Sequence, residues 1–488
     1  MFGATLILLG SFALGFFALS LLRCTTTPLE KVTLSAGIGL VLGMWLALLV
    51  TLIFGASFVP VVFALPAAAL FTQLKHPLSL TKVSLSALIF LIFISAVSVP
   101  LYRSHNLAVR DGAYFSGGSA WADLGLHTTF IRLFARQEHL SLISPIYSQT
   151  QTNYPFLLNF YAAQLFKQGI SLEAALTLTS CVLLILACLL WYSAVLRITK
   201  KVWVVWVSVL LFFANGGIGF IDALQDWKAQ NTSLVHFLLN QPLNYTHIEP
   251  YNIYWSNVIG DIFIPQRTFV AGFLIFMLFF WFLTYLCSHS QSVEKIWFAL
   301  GLLIAATPLI HTHTFLILSA AYAVLTLYFL VTRQLELKPV VIRLFLILAL
   351  TLPQYAWQIM HTTSTESFIS VKPGWYTPAG TSILAFWIRN MGANLIFLIM
   401  SLFWLFRTLR HKTTLKLFLL TVISFFFICN GIQFQPFLFD NMKFMVFSHW
   451  AVSLTIALLL AELHLTRAIL IWALIPFAVA SGVLSIIR

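Results

Sequence analysis

Asp123 and His127 lie in the first long polar segment of the chain, and their types and spacing could support chemistry. They are four positions apart in WADLGLHTTFIRLFAR, so on a helix they share one face. A carboxylate and an imidazole placed this way can bind a metal ion, act as an acid and base pair, or hydrogen-bond to each other. Spacing alone does not separate these roles from a solvated interfacial helix. Asp111, just before this segment, is a second carboxylate that could turn inward.

Gln266 and Arg267 follow Asp261 at the mouth of a predicted membrane span. The planar fork of arginine suits phosphate or carboxylate, which it binds with two parallel hydrogen bonds. The topology below places Arg267 at the outer boundary, against the usual preference of basic residues for the cytoplasm. The alternative is an ordinary interfacial arginine that extends to the head groups.

Arg389 and Asn390 fall several residues inside a predicted span, in FWIRN. An arginine at the centre of a membrane helix costs at least about 2.5 kcal/mol, so it needs a partner or a phosphate. We expect Arg389 to face the bundle interior and to reach toward the cavity that holds Asp123. The alternative is a permanent salt bridge that serves folding alone.

Two further groups of polar residues stand at predicted span boundaries. Pro308 interrupts an apolar run just before His311 and His313, and such a break is tolerated only where it faces protein or a watery cavity. The two histidines could bind a metal on an extended segment, but on a helix they point apart. Asp440 and Lys443 precede the next span, where ionisable groups are functional candidates and a helix cap is the alternative.

The elements that must position these residues are membrane helices. The chain is 60% hydrophobic and only 8% charged, with a mean hydropathy of +0.95, whereas a soluble domain has about 25% charged residues. Apolar runs long enough to cross a bilayer recur throughout. We predict an all-α polytopic bundle of about 12–14 transmembrane helices, with these approximate spans: 3–22, 33–54, 56–71, 82–101, 172–196, 202–221, 268–287, 296–310, 314–332, 340–359, 384–406, 414–430, 444–462 and 466–487.

The basic residues predict the orientation of this bundle. They cluster in alternate loops, which the positive-inside rule assigns to the cytoplasm, so the net charge of +13 does not indicate nucleic acid. The long polar loops then lie outside and fold over the external face of a single transmembrane domain, 1–488. They are 102–171, 222–267, 360–383 and 431–443. The first loop should contain two amphipathic helices, one at 121–136 and a surface-seeking or re-entrant one in NYPFLLNFYAAQLF.

Several short motifs together resemble a group of microbial polytopic membrane proteins with the architecture of GT-C glycosyltransferases. The resemblance covers roughly residues 110–450 and rests on WADLGLH, NYPFLLNFYAAQL, NIYWSN followed by PQR, LIHTHTF, FWIRN and FDNMK. It implies an acidic residue in the first outer loop that acts as base or orienter, here Asp123 or failing that Asp111. It also implies basic residues that hold a lipid phosphate, for which Arg267, Arg389 and Lys443 are matching types.

The resemblance and the residues together lead us to expect a glycosyltransferase in the cell envelope. It would transfer a sugar from a polyprenyl-phosphate donor to an unidentified acceptor on the outer face of the plasma or inner membrane. The sequence leaves open whether the reaction uses a divalent metal ion. Asp123, His127, Arg267, His311 and Asp440 should line one outward-facing cavity. The alternatives are a multi-pass transporter or flippase, and a non-catalytic relative that binds a lipid carrier.

Overall fold

The computed structural model describes the chain except for residues 74–82, 118–119, 148–149, 290–292, 362–368 and 410–411. The described part is mostly helical, with two short two-stranded sheets. Its helices are α1 Phe2–Leu22, α2 Pro28–Phe54, α3 Val59–Gln73, α4 Leu85–His105, α5 Trp121–Arg136, α6 Leu157–Lys167, α7 Leu172–Thr199, α8 Val202–Phe213, α9 Phe220–Gln230, α10 Leu234–Leu239, α11 Arg267–Leu286, α12 Val293–Ala305, α13 Thr312–Val331, α14 Leu337–Met360, α15 Ile383–Met391, α16 Ala393–Arg407, α17 Thr413–Cys429, α18 Met442–Glu462 and α19 Leu465–Ile487. Its strands are β1 Ala108–Arg110, β2 Ala113–Phe115, β3 Ser370–Val371 and β4 Ile432–Gln433, paired antiparallel as β1 with β2 and β3 with β4.

Ten helices in the described ranges are long and apolar enough to cross a membrane, or eleven if α15 and α16 count as one span. The chain is therefore a multi-pass integral membrane protein, as its composition predicts. The count is lower than expected for two reasons. The helices at the predicted spans 202–221, 296–310 and 414–430 have only 12, 13 and 17 residues, and the predicted span 384–406 is bent into two helices. Lys75, Lys82 and Arg410, which support the predicted topology, lie outside the described residues.

The chain divides into two compact units. The first comprises Met1–Arg197 and Ile264–Thr363, and the second comprises Ile198–Phe263 and Ser364–Arg488. In the first unit α11 is buried along its whole length, and α2, α6, α12 and α13 pack against it.

The predicted second helix of the first long loop proves to be a core element of the first unit. α6 is buried from Leu157 to Leu165 and packs against α1, α2, α5 and α11. The expectation of a surface-seeking helix was therefore wrong, whereas the alternative of a re-entrant helix stays a prediction. α5, by contrast, forms over 121–136 as expected and buries Leu124, Phe130 and Phe134 against its neighbours.

The first unit contains the predicted break around Pro308, between α12 and α13. Side chains from neighbouring helices satisfy the carbonyls that the break leaves free. Trp45 donates to the Ala306 carbonyl, Gln354 to Ala305 and Gln358 to Pro308. Broken backbone at membrane depth needs partners of this kind, because lipid offers none.

The second unit contains a sharper break, at Gly392 between α15 and α16. The two helices are bent by 103°, so the predicted span 384–406 is not continuous. Gly392 has φ 52° and ψ −125°, a combination that side chains other than glycine rarely tolerate. The bend leaves Arg389 on the short helix α15.

Buried asparagines hold the irregular backbone of the second unit. Asn390 accepts from the N–H groups of Tyr254 and Trp255 and donates to the carbonyls of Asn252 and Phe386. Asn215, Asn257, Asn394 and Asn441 make similar bonds from side chain to backbone. Each is at most 1% exposed, and each supplies backbone groups with hydrogen-bond partners that water would supply elsewhere. We name these five residues the asparagine framework.

Candidate functional site

The most unusual group of the first unit is the guanidinium of Arg267, the first residue of α11. It is 1% exposed, and it donates to three neutral oxygens through three different nitrogens. Nη1 reaches Asn159 Oδ1 at 2.7 Å, Nη2 reaches Thr179 Oγ1 at 2.6 Å, and Nε reaches Ser180 Oγ at 3.2 Å. None of the ion pairs within the described ranges includes Arg267. A buried cation with neutral partners leaves a site where an anion would be stabilised.

Asn159 of α6 continues this network to His127 of α5. Its side-chain nitrogen Nδ2 lies 3.0 Å from Nδ1 of His127. Both side chains are fully buried, so their hydrogen bonds form away from water. The side-chain amide of Asn159 therefore bridges the imidazole of His127 and the guanidinium of Arg267.

Asp123 joins the same network from the other side. Gln266 donates from Nε2 to Asp123 Oδ2 over 2.7 Å. Gln266 and Arg267 are consecutive, and Asp123 and His127 are one turn apart on α5. The contacts therefore close a circuit between α5 and the start of α11, which runs from Asp123 through Gln266, Arg267 and Asn159 to His127. We name these five residues the polar centre.

An apolar cavity adjoins the polar centre within the first unit. Its volume is about 110 Å³, which leaves room for a short stretch of hydrocarbon. Thr179 both lines this cavity and accepts from Arg267, so it separates the cavity from the guanidinium. The other lining residues are Leu8, Leu40, Met44, Leu158, Tyr161, Leu165, Leu178, Val182 and Leu183.

His311 and His313 lie close together and are both buried. Their ring centroids are 5.1 Å apart, and His311 caps α13 by accepting from the backbone of Thr314. The His311 ring also packs against Phe269, two residues along α11 from Arg267. Among the residues that the structure describes, no three His, Cys, Asp or Glu side chains are placed to hold a metal ion.

Asp111 lies at the tip of the β1–β2 hairpin and is exposed. It has φ 50° and Gly112 has φ 76°, as expected for a two-residue hairpin turn that requires positive φ at both positions. The turn therefore accounts for an aspartate followed by glycine at these positions, in place of the inward-turning loop that the sequence suggested.

Arg389, in the second unit, has an acidic partner. Its Nε donates to the Tyr251 carbonyl at 2.6 Å, and its Nη2 lies 3.4 Å from both carboxylate oxygens of Asp222. Its side chain is 35% exposed. The cost of burying this arginine is thus offset within the second unit, and it no longer argues for a bound phosphate.

Asp440 and Lys443 pair with each other in the second unit. Their charged groups are 2.9 Å apart across one turn at the start of α18. The local ion pair accounts for both residues at the entrance to a span. Asn441, between them, belongs to the asparagine framework.

A further polar cluster of the second unit surrounds Asp261. His247 Nδ1 lies 2.6 Å from the Ser256 hydroxyl, and Ser256 in turn lies beside the Asp261 carboxyl. Asp261 is half-buried, but its Oδ2 atom is buried and makes no hydrogen bond to the described residues. Burial raises the pKa of Asp261, while the nearby His247 lowers it.

The sequence indicated part of the polar centre and missed the rest. Asp123, His127, Gln266 and Arg267 do meet in the first unit, and His311 lies within the same unit. Asp440 belongs to the second unit, and the apolar cavity is lined by none of the five residues that we expected to share one outward-facing cavity, so that shared cavity stays a prediction. Sequence reasoning missed three neutral residues that bind Arg267: Asn159, Thr179 and Ser180. Their one signal is a polar side chain inside an apolar helix.

No family model, no curated protein and no solved structure matches this chain.

Proposed function

We propose that this chain is a membrane glycosyltransferase that moves a sugar from a polyprenyl-phosphate donor to an acceptor on the non-cytoplasmic face. The observation that carries the proposal is the polar centre: a carboxylate, an imidazole and a buried guanidinium with neutral partners, linked in one circuit. Transfer of a sugar from a lipid phosphate needs a base for the acceptor and a cation for the leaving phosphate.

The proposed reaction is an inverting displacement at the anomeric carbon. The acceptor oxygen forms a bond to this carbon as the bond to the phosphate oxygen breaks, and the electron pair of the broken bond leaves with the lipid phosphate. Asp123 takes the proton of the acceptor hydroxyl, and Gln266 holds its carboxylate in place. Arg267 stabilises the charge that develops on the leaving phosphate, aided by the positive end of α11.

The cavity supports a lipid-linked donor over a water-soluble one. Its walls are apolar apart from the Tyr161 and Thr179 hydroxyls, which suits a hydrocarbon chain. Thr179 contacts both the cavity and Arg267, so a phosphate that entered along this route would replace the Thr179 hydroxyl on the guanidinium. Exchange of a neutral partner for an anion makes the hydrogen bonds to Arg267 charge-assisted on both sides and hence stronger.

Purified protein in nanodiscs, supplied with polyprenyl-phosphate sugars, tests the proposal. We expect the release of lipid phosphate to fall by ~10²–10⁴-fold in Asp123→Asn, since asparagine keeps a bond to Gln266 but cannot accept the proton. Asp111→Asn decides between the two aspartates that the resemblance allows, and we expect it to retain turnover. Full turnover by Asp123→Asn would remove Asp123 from the mechanism.

The helix breaks favour one other function, a multi-pass transporter or flippase, because interrupted helices often line the substrate sites of transporters. The two breaks, around Pro308 and at Gly392, lie in different units. Proteoliposomes loaded with labelled polyprenyl-phosphate sugar separate the two functions. Movement of the intact lipid across the bilayer without cleavage would favour the flippase, whereas cleavage on one face supports the transferase.

A further inference from the structure

Asn159 occupies a position that determines more than the packing of α6. Its amide lies between a guanidinium and an imidazole, with Arg267 Nη1 2.7 Å from Oδ1 and His127 Nδ1 3.0 Å from Nδ2. Asn159 and His127 are 0% exposed and Arg267 is 1% exposed, so water does not compete for these bonds.

The chemistry of the three groups leaves one arrangement of hydrogens. Arginine has only donors, so the amide atom that faces Arg267 must be the acceptor Oδ1. The NH₂ group of Asn159 therefore faces His127, and an NH₂ group can only donate. His127 Nδ1 must then offer a lone pair, which puts the ring hydrogen on Nε2. The amide orientation, often ambiguous in structures, is fixed here by Arg267.

We propose that Asn159 is a positioning residue that, held by Arg267, keeps His127 neutral with its hydrogen on Nε2. A proton on Nδ1 would set N–H against N–H and place a second positive charge near Arg267 in a buried site. Among the described residues, three other titratable groups face this region. They are Asp123, one turn earlier on α5, Tyr154, whose ring centroid lies 6.1 Å from that of His127, and Tyr102, which lies near Arg267.

This assignment changes the role of His127 in the proposed reaction, and to that extent it rests on the proposed function. An imidazole with hydrogen on Nε2 donates a hydrogen bond through that nitrogen. His127 therefore serves as a donor to an anionic or hydroxyl oxygen of the substrate. Asp123 is then the base, and a role for His127 as a base, which the acid and base pair in the sequence left open, is withdrawn.

Nitrogen NMR of protein labelled with ¹⁵N-histidine tests the assignment without a substrate. The chain has 13 histidines, and the spectrum of His127→Gln identifies the two signals of His127 by difference. We expect wild-type Nδ1 to resonate as an unprotonated nitrogen and Nε2 as a protonated one, both unchanged between pH 5 and 8. In Asn159→Asp a carboxylate faces His127, so Nδ1 should become protonated and its signal should shift accordingly.

A wild-type spectrum with a protonated Nδ1, or a titration of His127 near neutral pH, would overturn the proposal even if the variant does not fold. So would an Asn159→Asp spectrum identical to that of the wild type in folded protein. Turnover provides the second readout, and we expect Asn159→Asp to lose ~100-fold. The expected spectra without any wild-type turnover would refute the proposed function and leave the role of Asn159 standing. Wild-type turnover together with a protonated Nδ1 would refute the role of Asn159 and leave the proposed function standing.

Discussion

The two units of this membrane protein use buried polar side chains in different ways. In the first unit, Arg267 binds the side chains of Asn159, Thr179 and Ser180, and Asp123 binds Gln266. In the second unit, the asparagine framework binds mainly backbone groups of broken helices and loops. In the first unit, polar side chains hydrogen-bond to one another. In the second unit, they hydrogen-bond to the backbone and hold its irregular segments in place.

The difference indicates where a ligand can bind. A side chain that satisfies backbone groups cannot be given up to a ligand without exposing those groups, at a cost of ~1–3 kcal/mol each. A hydroxyl that accepts from a guanidinium can be replaced by an anion, because the guanidinium stays satisfied. Polar residues of the second unit should therefore matter for folding, and those of the polar centre for binding and turnover.

The largest effect is expected from the asparagine framework. Asn390→Ala removes four hydrogen bonds to backbone groups, and at ~1–3 kcal/mol for each unsatisfied group the protein should not accumulate in the membrane. Asn240→Ala is the matched control, since Asn240 is exposed and its side chain donates to one carbonyl. Expression and thermal unfolding in detergent measure both. Equal yields of the two variants would contradict the assigned role of Asn390.

Two glutamines, one in each unit, sharpen the comparison. Gln266 binds the Asp123 side chain, whereas Gln241 binds the carbonyls of Leu238 and Leu484. We expect Gln266→Ala to lower turnover about tenfold through loss of carboxylate positioning. Gln241→Ala should leave turnover per folded molecule unchanged and destabilise the protein by ~1–2 kcal/mol. Turnover assays and melting curves of both variants test these expectations. Loss of turnover in Gln241→Ala with normal turnover in Gln266→Ala would contradict the difference between the two units.

Arg389 should behave more like a residue of the asparagine framework than like Arg267. Arg389→Lys keeps a positive charge opposite Asp222 but loses the fork that also reaches the Tyr251 carbonyl. We expect a loss of stability of ~0.5 kcal/mol and a change in lipid-phosphate affinity of less than about threefold. Thermal unfolding and a lipid-binding titration measure the two effects. Severe loss of affinity in a folded variant would restore Arg389 as a phosphate ligand.

The smallest effect is expected at an exposed contact of the first unit, where Glu138 binds Lys167 and Ser57. The hydrogen bond from Lys167, followed by those from Ser57, lowers the pKa of Glu138 from 4.5 to about 2. A lowered pKa in the folded state stabilises the protein above pH 4.5, and this stabilisation is lost as the pH falls toward 2. Glu138→Gln should therefore have a slightly lower melting temperature than the wild type at neutral pH, and this difference should disappear in acid. A difference in melting temperature that is as large at pH 2 as at neutral pH would contradict this assignment.

The sequence predicts the helices of this protein better than their interruptions. α1, α2, α7 and α11 follow from the lengths of apolar runs, which need only local information. The bend at Gly392 interrupts a run that stays apolar, and it is held by distant partners such as Asn252 and Gly216. No local pattern marks those partners. Likewise, α6 has a polar residue, Asn159, among apolar ones, a pattern that fits a helix at a surface. Its partner Arg267 is distant in sequence, so the sequence does not show that Asn159 is buried.

The candidate site follows a similar rule. Asp123, His127 and Arg267 stand out because charged and imidazole side chains are rare in an apolar chain, and Gln266 stands beside Arg267. Thr179 and Ser180 do not, since hydroxyls in helices usually bond to the preceding turn, as Thr179 also does to Ala175.

Direct binding of polyprenyl phosphate to Arg267→Lys tests the central claim, that the polar centre binds the lipid phosphate. Lysine keeps the charge but loses the planar fork, whose three nitrogens each donate to one of Asn159, Thr179 and Ser180. We predict that a titration in nanodiscs shows affinity at least about tenfold weaker than that of the wild type. The unphosphorylated polyprenol should bind both proteins equally, because it contacts only the apolar cavity. Wild-type affinity for polyprenyl phosphate in folded Arg267→Lys would contradict the claim.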